Sequence, residues 1–151
     1  MELLKDDNSE VKLNVVAGFV KIANVVGAEL LTSSLLTTLA NMTKDGQWRV
    51  RMAVFELIAD LALIFGKETY CKQLQSIFMG YLTNTAASVR QMGISKSSVL
   101  AQQFKQDWIM NEFIPVVNNH YNVDKKGYNY RMCCLNSLAS VMPYITKDQI
   151  T

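Results

Sequence analysis

The sequence has few of the residues from which catalytic and metal centres are built. It contains one histidine and three cysteines in 151 residues, and His120 does not belong to a recognised metal-ligand pattern. No local signature pairs this histidine, as a base, with a cysteine nucleophile. The segment around Gly27 has a single glycine and does not form a glycine-rich phosphate loop. We therefore expect no catalytic residues, no cofactor and no metal, with His120 partly exposed at a helix end.

The sequence also has little net charge and no obvious export or membrane signal. Fifteen basic and 13 acidic residues leave a net charge of +2, far from the basic surface that nucleic-acid binding requires. No run of 18 uncharged apolar residues occurs, and the N-terminus lacks the charged start and apolar core of a signal peptide. The adjacent Cys133 and Cys134 suggest no disulfide framework and are typical of small core residues. We expect a soluble protein of the cytoplasm, with the nucleus as a further compartment, that binds neither nucleic acid nor membrane.

The most informative feature of the sequence is an internal repeat. A valine followed by a basic residue recurs at a constant interval of about 40 residues, at Val11-Lys12, Val50-Arg51 and Val89-Arg90. A related pair, Tyr130-Arg131, follows the third copy after nearly the same interval. Apolar positions far from this motif keep the interval too, for example Leu35, Leu74 and Phe113. Agreement at separate positions indicates an array of similar structural units.

Each copy contains two segments with a helical pattern. The second, which we call the B helix, starts at the repeated pair and has apolar residues at spacings of 4, 4, 3 and 4, as in Val50, Val54, Ile58, Leu61 and Phe65. The same positions in the other copies are Val11, Val15, Phe19, Ile22 and Val26, then Val89, Gly93, Ser97, Leu100 and Phe104, then Tyr130, Cys134, Leu138, Val141 and Ile145. Because the third copy has glycine and serine in place of large side chains, we expect it to pack weakly and to be the flexible point.

The first segment of each copy, the A helix, is predicted at about 28–43, 67–82 and 106–120. Pro115 lies inside the third A helix, where it removes a backbone donor and should bend or restart the helix. Gly27 and Gly66 follow the first two B helices, where a left-handed residue commonly ends a helix. Lys105 occupies that position after the third B helix.

A period of about 40 residues with two helices is typical of HEAT repeats. We therefore predict an all-α solenoid over residues 1–151, with about four repeats: a partial one at 1–27, then 28–66, 67–105 and 106–151. The first B helix has no complete A helix before it, and the last has no polar cap, so we expect a fragment of a longer array. The alternative is a short helical bundle that closes on itself.

The turns between A and B helices differ in sequence although the helices do not. Equivalent positions hold Ser9, Trp48, Ala87 and Tyr128, and an exposed aromatic residue there either covers its own repeat or binds a partner. A ladder of polar residues accompanies these turns, formed by Asp6, Lys12, Asp45, Arg51, Asn84 and Arg90. We interpret the ladder as structural, with each acidic residue pairing with a base of the same or the adjacent repeat.

The run Gln47-Trp48-Arg49-Val50-Arg51-Met52-Ala53, together with Tyr128-Asn129-Tyr130 and Arg131-Met132, resembles the structural A subunit of protein phosphatase 2A. The resemblance implies a non-catalytic scaffold, similar to the C-terminal half of that subunit. Its ridge of turns would hold a catalytic subunit and help to recruit a regulatory B-type subunit. The implied contact residues are Gln47, Trp48, Arg49, Tyr128, Asn129, Tyr130 and Arg131. Ala86-Ala87-Ser88 departs from this pattern, because the family has an aromatic residue in that turn. The alternative is another HEAT or armadillo scaffold, such as a nuclear transport receptor, that binds cargo on its B helices.

Overall fold

The computed structural model describes Leu3, residues 7–122 and residues 127–146. Throughout these residues the regular secondary structure is helical and no strand is present, which confirms the predicted all-α class. The chain divides into two compact units, Met1–Gly80 and Tyr81–Thr151. The single array over residues 1–151 stays a prediction, and each unit is described separately below.

The first unit contains two B helices and the segments that follow them. Its helices are α1 (Ser9–Val26), a 3-10 turn (Gly27–Leu30), α2 (Ser33–Met42), α3 (Trp48–Phe65), α4 (Lys67–Thr69), a π-helical segment (Tyr70–Leu74) and α5 (Gln75–Phe78). Side-chain caps set two of the starts: Asn8 Oδ1 accepts from the Glu10 amide at 2.9 Å before α1, and Thr32 Oγ1 accepts from the Leu35 amide at 3.2 Å before α2. Local sequence therefore determines where these helices begin.

A 3-10 turn at Met79–Thr83 leads to the second unit. There the long helix α6 (Ala87–Trp108) continues through a π-helical segment (Ile109–Phe113) into α7 (Ile114–Asn122), and α8 (Tyr128–Val141) ends in a 3-10 turn (Met142–Tyr144). Helix α8 packs on α6 and α7. The four predicted B helices correspond to α1, α3, α6 and α8.

The apolar stripes predicted for the B helices are buried in α3 and α6. Val50, Val54, Ile58 and Leu61 of α3 are buried, as are all five predicted positions of α6. The stripe predicted for α1 is wrong, because Ile22 and Val26 are each 47% exposed while Val16 and Ala23 are buried. Helix α1 packs mainly on α3, so the buried face is the one directed at that neighbour.

The third B helix does not pack weakly, contrary to expectation. Tyr81 is fully buried, and its hydroxyl lies 3.0 Å from Ser97 Oγ and donates to Ser137 Oγ at 2.8 Å. Its ring lies directly against Gly93, where any Cβ atom would overlap the ring. The glycine and serine of α6 therefore accommodate a tyrosine of the preceding segment. Small residues here create a close contact and not a gap.

Residues at or near the ends of the three longer B helices share an unusual backbone conformation: Gly27 and Gly66 follow α1 and α3, and Lys105 interrupts α6 three residues before it ends at Trp108. Gly27, Gly66 and Lys105 occupy the same position in successive repeats and have φ of 76°, 91° and 67° with ψ of −161°, 171° and −175°. The predicted positive φ at Gly27 and Gly66 is confirmed. In the described part of the chain, Lys105 is the one non-glycine residue with positive φ. This region of φ and ψ is almost restricted to glycine, so Lys105 is strained.

Replacing Lys105 with glycine should therefore raise the free energy of unfolding by about 1 kcal/mol. The substitution relieves roughly 1–3 kcal/mol of backbone strain in the folded chain. This gain exceeds the free-energy cost of the additional conformational entropy that glycine gives the unfolded chain, roughly 0.5–1 kcal/mol. Urea unfolding followed by circular dichroism measures the difference. Lys105→Ala is the matched control, since it removes the same charge but keeps a Cβ atom. A gain for alanine equal to that for glycine would show that the charge, and not the backbone, is responsible.

The second and third A helices share an irregularity that the sequence did not reveal. Their π-helical segments, Tyr70–Leu74 and Ile109–Phe113, occupy equivalent positions in successive repeats. The α-helix restarts at Ile114, next to Pro115, as predicted for a proline. However, the equivalent residue of the earlier copy is Ser76 and the same irregularity occurs there. The proline is therefore compatible with the distortion but is not its cause.

Candidate protein-binding site

The turn before α3 is held from two sides. Asp45 Oδ1 accepts a hydrogen bond from the Gln47 amide at 2.9 Å, while Arg51 Nη1 donates to the carbonyl oxygens of Asp45 at 2.6 Å and Gly46 at 3.3 Å. The Asp45 side chain thus closes the turn, and the Arg51 guanidinium group binds the backbone of the same turn. This arrangement fixes the position at which Trp48 begins α3.

Asp45 also connects this turn to the preceding repeat. Its Oδ2 lies 2.7 Å from Lys12 Nζ of α1, and the two side chains are only 14% and 16% exposed. The prediction that the ladder joins adjacent repeats is confirmed at this pair. Partial burial raises the pKa of the Asp45 carboxyl, but the hydrogen bonds from Lys12 and the Gln47 amide, with the charges of Lys12 and Arg51, outweigh it and lower the pKa overall. Asp6 lies outside the described residues.

A lowered carboxyl pKa makes stability depend on pH. Because the folded chain binds the Asp45 proton less tightly than the unfolded chain does, the stabilisation is complete above the ordinary carboxyl pKa of about 4 and is lost as the pH falls below it. We expect Asp45→Asn to reduce the free energy of unfolding by about 1 kcal/mol at pH 7, with the difference from wild type vanishing in acid. Asparagine keeps the acceptor for the Gln47 amide, so urea unfolding between neutral and acidic pH measures the charge alone. A deficit that is independent of pH would contradict the assignment.

The next turn repeats this construction without the acid. Asn84 Oδ1 accepts from the Ala86 amide at 3.1 Å, and Arg90 Nη1 donates to the carbonyl oxygens of Asn84 at 2.8 Å and Thr85 at 3.1 Å. In both turns the arginine donates to backbone carbonyls. In the first turn Arg51 therefore does not form the pairing with the Asp45 side chain that was expected within one repeat. The ladder is thus chiefly a device for shaping turns.

Trp48 and Arg49 form an exposed pair on the first of these turns. The Trp48 side chain is 41% exposed, and the guanidinium carbon of Arg49 lies 5.5 Å from the centroid of its ring. Gln47 beside them is exposed as well. Stacking an arginine on an indole orders both side chains. The turn therefore presents a large apolar surface and a cation on a rigid base.

The turn before α8 brings together only some of its predicted contact residues. Tyr128 is 69% exposed, and Asn129 and Arg131 are also exposed. Tyr130 is only 8% exposed, and its hydroxyl lies 3.0 Å from His120 Nδ1. The Tyr130 side chain therefore packs inside its own unit and presents little surface to a partner, so its predicted contact stays a prediction. The residues at the same position in the preceding repeats, Val50 and Val89, are buried too. Their apolar character in the sequence could have predicted that Tyr130 is buried.

Two of the three cysteine side chains lie in the interior of α8. Cys133 and Cys134 are both buried, as predicted for small core residues. Burial, reinforced by the neighbouring Cys134, raises the pKa of the Cys133 thiol to about 11. The thiol is therefore protonated at neutral pH and is a poor nucleophile. Within the described ranges, no group of three or more histidine, cysteine, aspartate or glutamate residues is placed to hold a metal ion.

A groove between α1 and α3 was not found from the sequence. It has a volume of about 290 Å³ and is lined by Leu13, Val16, Ala17 and Val20 of α1 and by Ala53, Glu56, Leu57 and Asp60 of α3. These two helices belong to successive repeats, and the gap between them depends on the distance at which they pack. Sequence periodicity carries no information about that distance.

One segment satisfies a simple test for a membrane span. Ser9–Leu30 has 22 residues, and its most apolar 18-residue stretch has a mean hydropathy of 1.5 and is 11% buried. By length and composition this segment could cross a membrane, although it is not a run of uncharged apolar residues. Core helices of soluble proteins and N-terminal signal sequences pass the same test, so one such helix is weak evidence. Here the segment carries Lys12, which pairs with Asp45.

Comparison with protein families identifies a HEAT repeat at residues 35–65. This range runs from α2 to the end of α3 and contains the turn that presents Trp48. No curated protein matches the chain significantly. The chain thus carries a HEAT repeat in an all-α fold, which is the construction of a helical protein-interaction scaffold. HEAT-repeat proteins are generally non-catalytic, and they act through the surfaces that their repeats present.

Proposed function

We propose that this protein is a non-catalytic scaffold subunit of a protein phosphatase 2A-like serine/threonine phosphatase. The observation that carries the proposal is the exposed Trp48–Arg49 pair on a turn held by Asp45 and Arg51. Exposed tryptophan and arginine on a rigid base are the residues most often responsible for affinity at protein interfaces. They lie in the run that resembles the phosphatase scaffold, in the turn that would hold the catalytic subunit.

The second turn supplies a weaker contact surface. Tyr128, Asn129 and Arg131 are exposed, whereas Tyr130 supports the start of α8 from inside. The turn at Ala86 presents no aromatic residue and would contribute little. On this proposal a regulatory B-type subunit joins the complex, and the protein acts in the cytoplasm and nucleus.

The test is binding to a purified phosphatase 2A catalytic subunit, measured by biolayer interferometry with the immobilised full chain. Trp48→Ala/Arg49→Ala should weaken binding about 30-fold or more, because truncating an interface tryptophan typically costs on the order of 2–4 kcal/mol. Val99→Ala is the control, since Val99 is also 41% exposed but lies in the middle of α6. Melting temperatures of all variants show whether the fold is intact.

Two results would count against the proposal. If the wild-type chain fails to bind the catalytic subunit, the phosphatase assignment is wrong. If binding occurs but the turn variant binds as tightly as wild type, the turn is not the contact surface. In the first case a HEAT-type scaffold with another partner remains, and in the second case the catalytic subunit binds at another surface.

A further inference from the structure

The turn before α3 contains a chemically labile pair of residues. Asp45 is followed directly by Gly46, and no other aspartate or asparagine in the sequence precedes a glycine. The amide nitrogen of the residue after an aspartate can attack the side-chain carboxyl group. A following glycine favours this attack, because it has no Cβ atom to hinder the close approach. The sequence therefore marks one bond of the chain as a candidate for isomerisation.

The reaction is intramolecular and requires only water. The Gly46 nitrogen forms a bond to Cγ of Asp45 while the Cγ–OH bond breaks, and the hydroxyl group leaves with the amide proton as water. Hydrolysis of the resulting succinimide ring adds water back at either of its two carbonyl carbons. Cleavage at Cγ restores aspartate. Cleavage at the main-chain carbonyl carbon gives isoaspartate, in which the main chain runs through Cβ and Cγ.

The folded turn leaves Gly46 open to this reaction. Gly46 is exposed, and nothing lies within 4 Å of the position that a Cβ atom would take. Its amide has no hydrogen-bond acceptor among the residues that the structure describes. The Asp45 side chain bends back over the same peptide bond, because its Oδ1 accepts from the Gln47 amide at 2.9 Å. The nitrogen and the carboxyl group are thus neighbours in the turn.

Two contacts oppose the reaction. Lys12 Nζ of α1 lies 2.7 Å from Asp45 Oδ2, and its charge favours the carboxylate form, from which no oxygen can leave as water until it is protonated. Arg51 Nη1 donates to the carbonyl oxygens of Asp45 and Gly46. The arginine thereby holds the peptide plane that must rotate for the nitrogen to attack.

The next turn has a similar frame without the labile bond. Asn84 occupies the position equivalent to Asp45 and closes its turn in the same way, but it is followed by Thr85. The branched Cβ atom of threonine crowds the peptide nitrogen. The labile bond and the ion pair to the preceding repeat therefore occur in the same turn.

We propose that the Asp45-Gly46 bond is a site of spontaneous isomerisation, and that the ion pair with Lys12 suppresses the reaction while α1 is packed on α3. Isoaspartate adds one carbon atom to the main chain of the turn. It also replaces the side-chain carboxylate, which contacts Lys12 and the Gln47 amide, by one attached directly to Cα. The turn that presents Trp48 then cannot re-form, so separation of the two helices leads to a permanent change. This inference does not rest on the proposed function.

Incubation of the full chain at neutral pH tests the proposal, at a temperature at which circular dichroism shows every variant to be folded. Trypsin cleaves after Lys44 and Arg49 and releases residues 45–49, whose aspartate and isoaspartate forms have equal mass but separate by chromatography. Lys12→Met should isomerise about fivefold faster than wild type, because one such ion pair shifts the ionisation equilibrium by up to about that factor. Wild type unfolded in urea gives the rate without protection and should be the fastest.

Three further variants are matched controls. Lys12→Arg keeps the cation and should isomerise at nearly the wild-type rate. Lys21→Met should do the same, because it removes an exposed lysine from the same helix. Gly46→Ala should react slowly even in urea, since the added Cβ atom hinders the attack.

The proposal is overturned if the peptide of residues 45–49 contains no isoaspartate after incubation in urea, because the bond would then not be labile. Equal rates for folded and unfolded wild type would also overturn it, since the fold would give no protection. If Lys12→Met reacts no faster than Lys21→Met, or Lys12→Arg reacts as fast as Lys12→Met, the ion pair is not the protecting contact and the proposal is wrong.

Discussion

Replacing Gly93 with alanine is expected to lower the free energy of unfolding by about 2–3 kcal/mol, although alanine is the better helix former by about 1 kcal/mol. The added methyl group would overlap the Tyr81 ring. That ring cannot easily move, because it is buried and its hydroxyl contacts Ser97 and Ser137. The overlap must be relieved by shifting α6 or by breaking these hydrogen bonds. Urea unfolding measures the loss.

Two comparisons test this explanation of the Gly93 effect. Gly18, in the interior of α1, has open space where a Cβ atom would stand, so Gly18→Ala should raise stability by up to about 1 kcal/mol. In a Tyr81→Leu background the cost of Gly93→Ala should fall, because the ring that causes the overlap has been removed. If Gly93→Ala stabilises the protein as Gly18→Ala does, the close packing of Tyr81 on α6 is incorrect.

Replacing Trp108 with alanine is expected to cost about 3–5 kcal/mol of unfolding free energy, the range for removing a large aromatic side chain from a core. Trp108 is 1% exposed. Its ring centroid lies 5.5 Å from that of Phe104 in an edge-to-face arrangement and 5.1 Å from that of Phe113. Because these three aromatic rings join the end of α6 to the π-helical segment after it, the substitution should destabilise the second unit.

Trp48→Ala is the matched comparison, since Trp48 is 41% exposed and its loss should cost less than about 1 kcal/mol. Tryptophan fluorescence separates the two residues, because each variant keeps one tryptophan. Emission from the chain that keeps Trp108 should be at shorter wavelength and protected from acrylamide, whereas emission from the chain that keeps Trp48 should be quenched. Equal destabilisation by the two substitutions would mean that Trp48 is also a core residue, and it would remove the basis for the proposed interface.

Local sequence patterns predicted the elements that depend on short-range physics. The recurring pairs at Val50 and Val89 predicted where the B helices start, and the stripe of α3 was correct because a helical period of 3.6 residues repeats within one element. Gly27 and Gly66 predicted positive φ at helix ends because few other residues adopt that conformation. The buried cysteines of α8 followed from the same periodicity.

The errors lie where a residue's environment is set by a distant segment. The small side chains of Gly93 and Ser97 predicted weak packing of α6. In the structure, Tyr81 fills the space that these residues leave. Tyr130 resembled an exposed contact residue, but it is buried and lies against His120. Helical periodicity identifies the sides of a helix, but it does not show which neighbour each side meets or how closely.

The sequence by itself determined the all-α class, the repeat with its constant interval, the starts of the B helices and the conspicuous Trp48–Arg49 pair, because each follows from patterns along the chain. The tertiary structure alone decided that Asp45 joins its turn to Lys12, that Tyr81 joins two serines, and that α1 and α3 leave a groove. These features bring together residues separated by 16 to 56 positions in hydrogen bonds, or by a full repeat across the groove. Such contacts are governed by helix packing distances, which no local pattern of residues specifies.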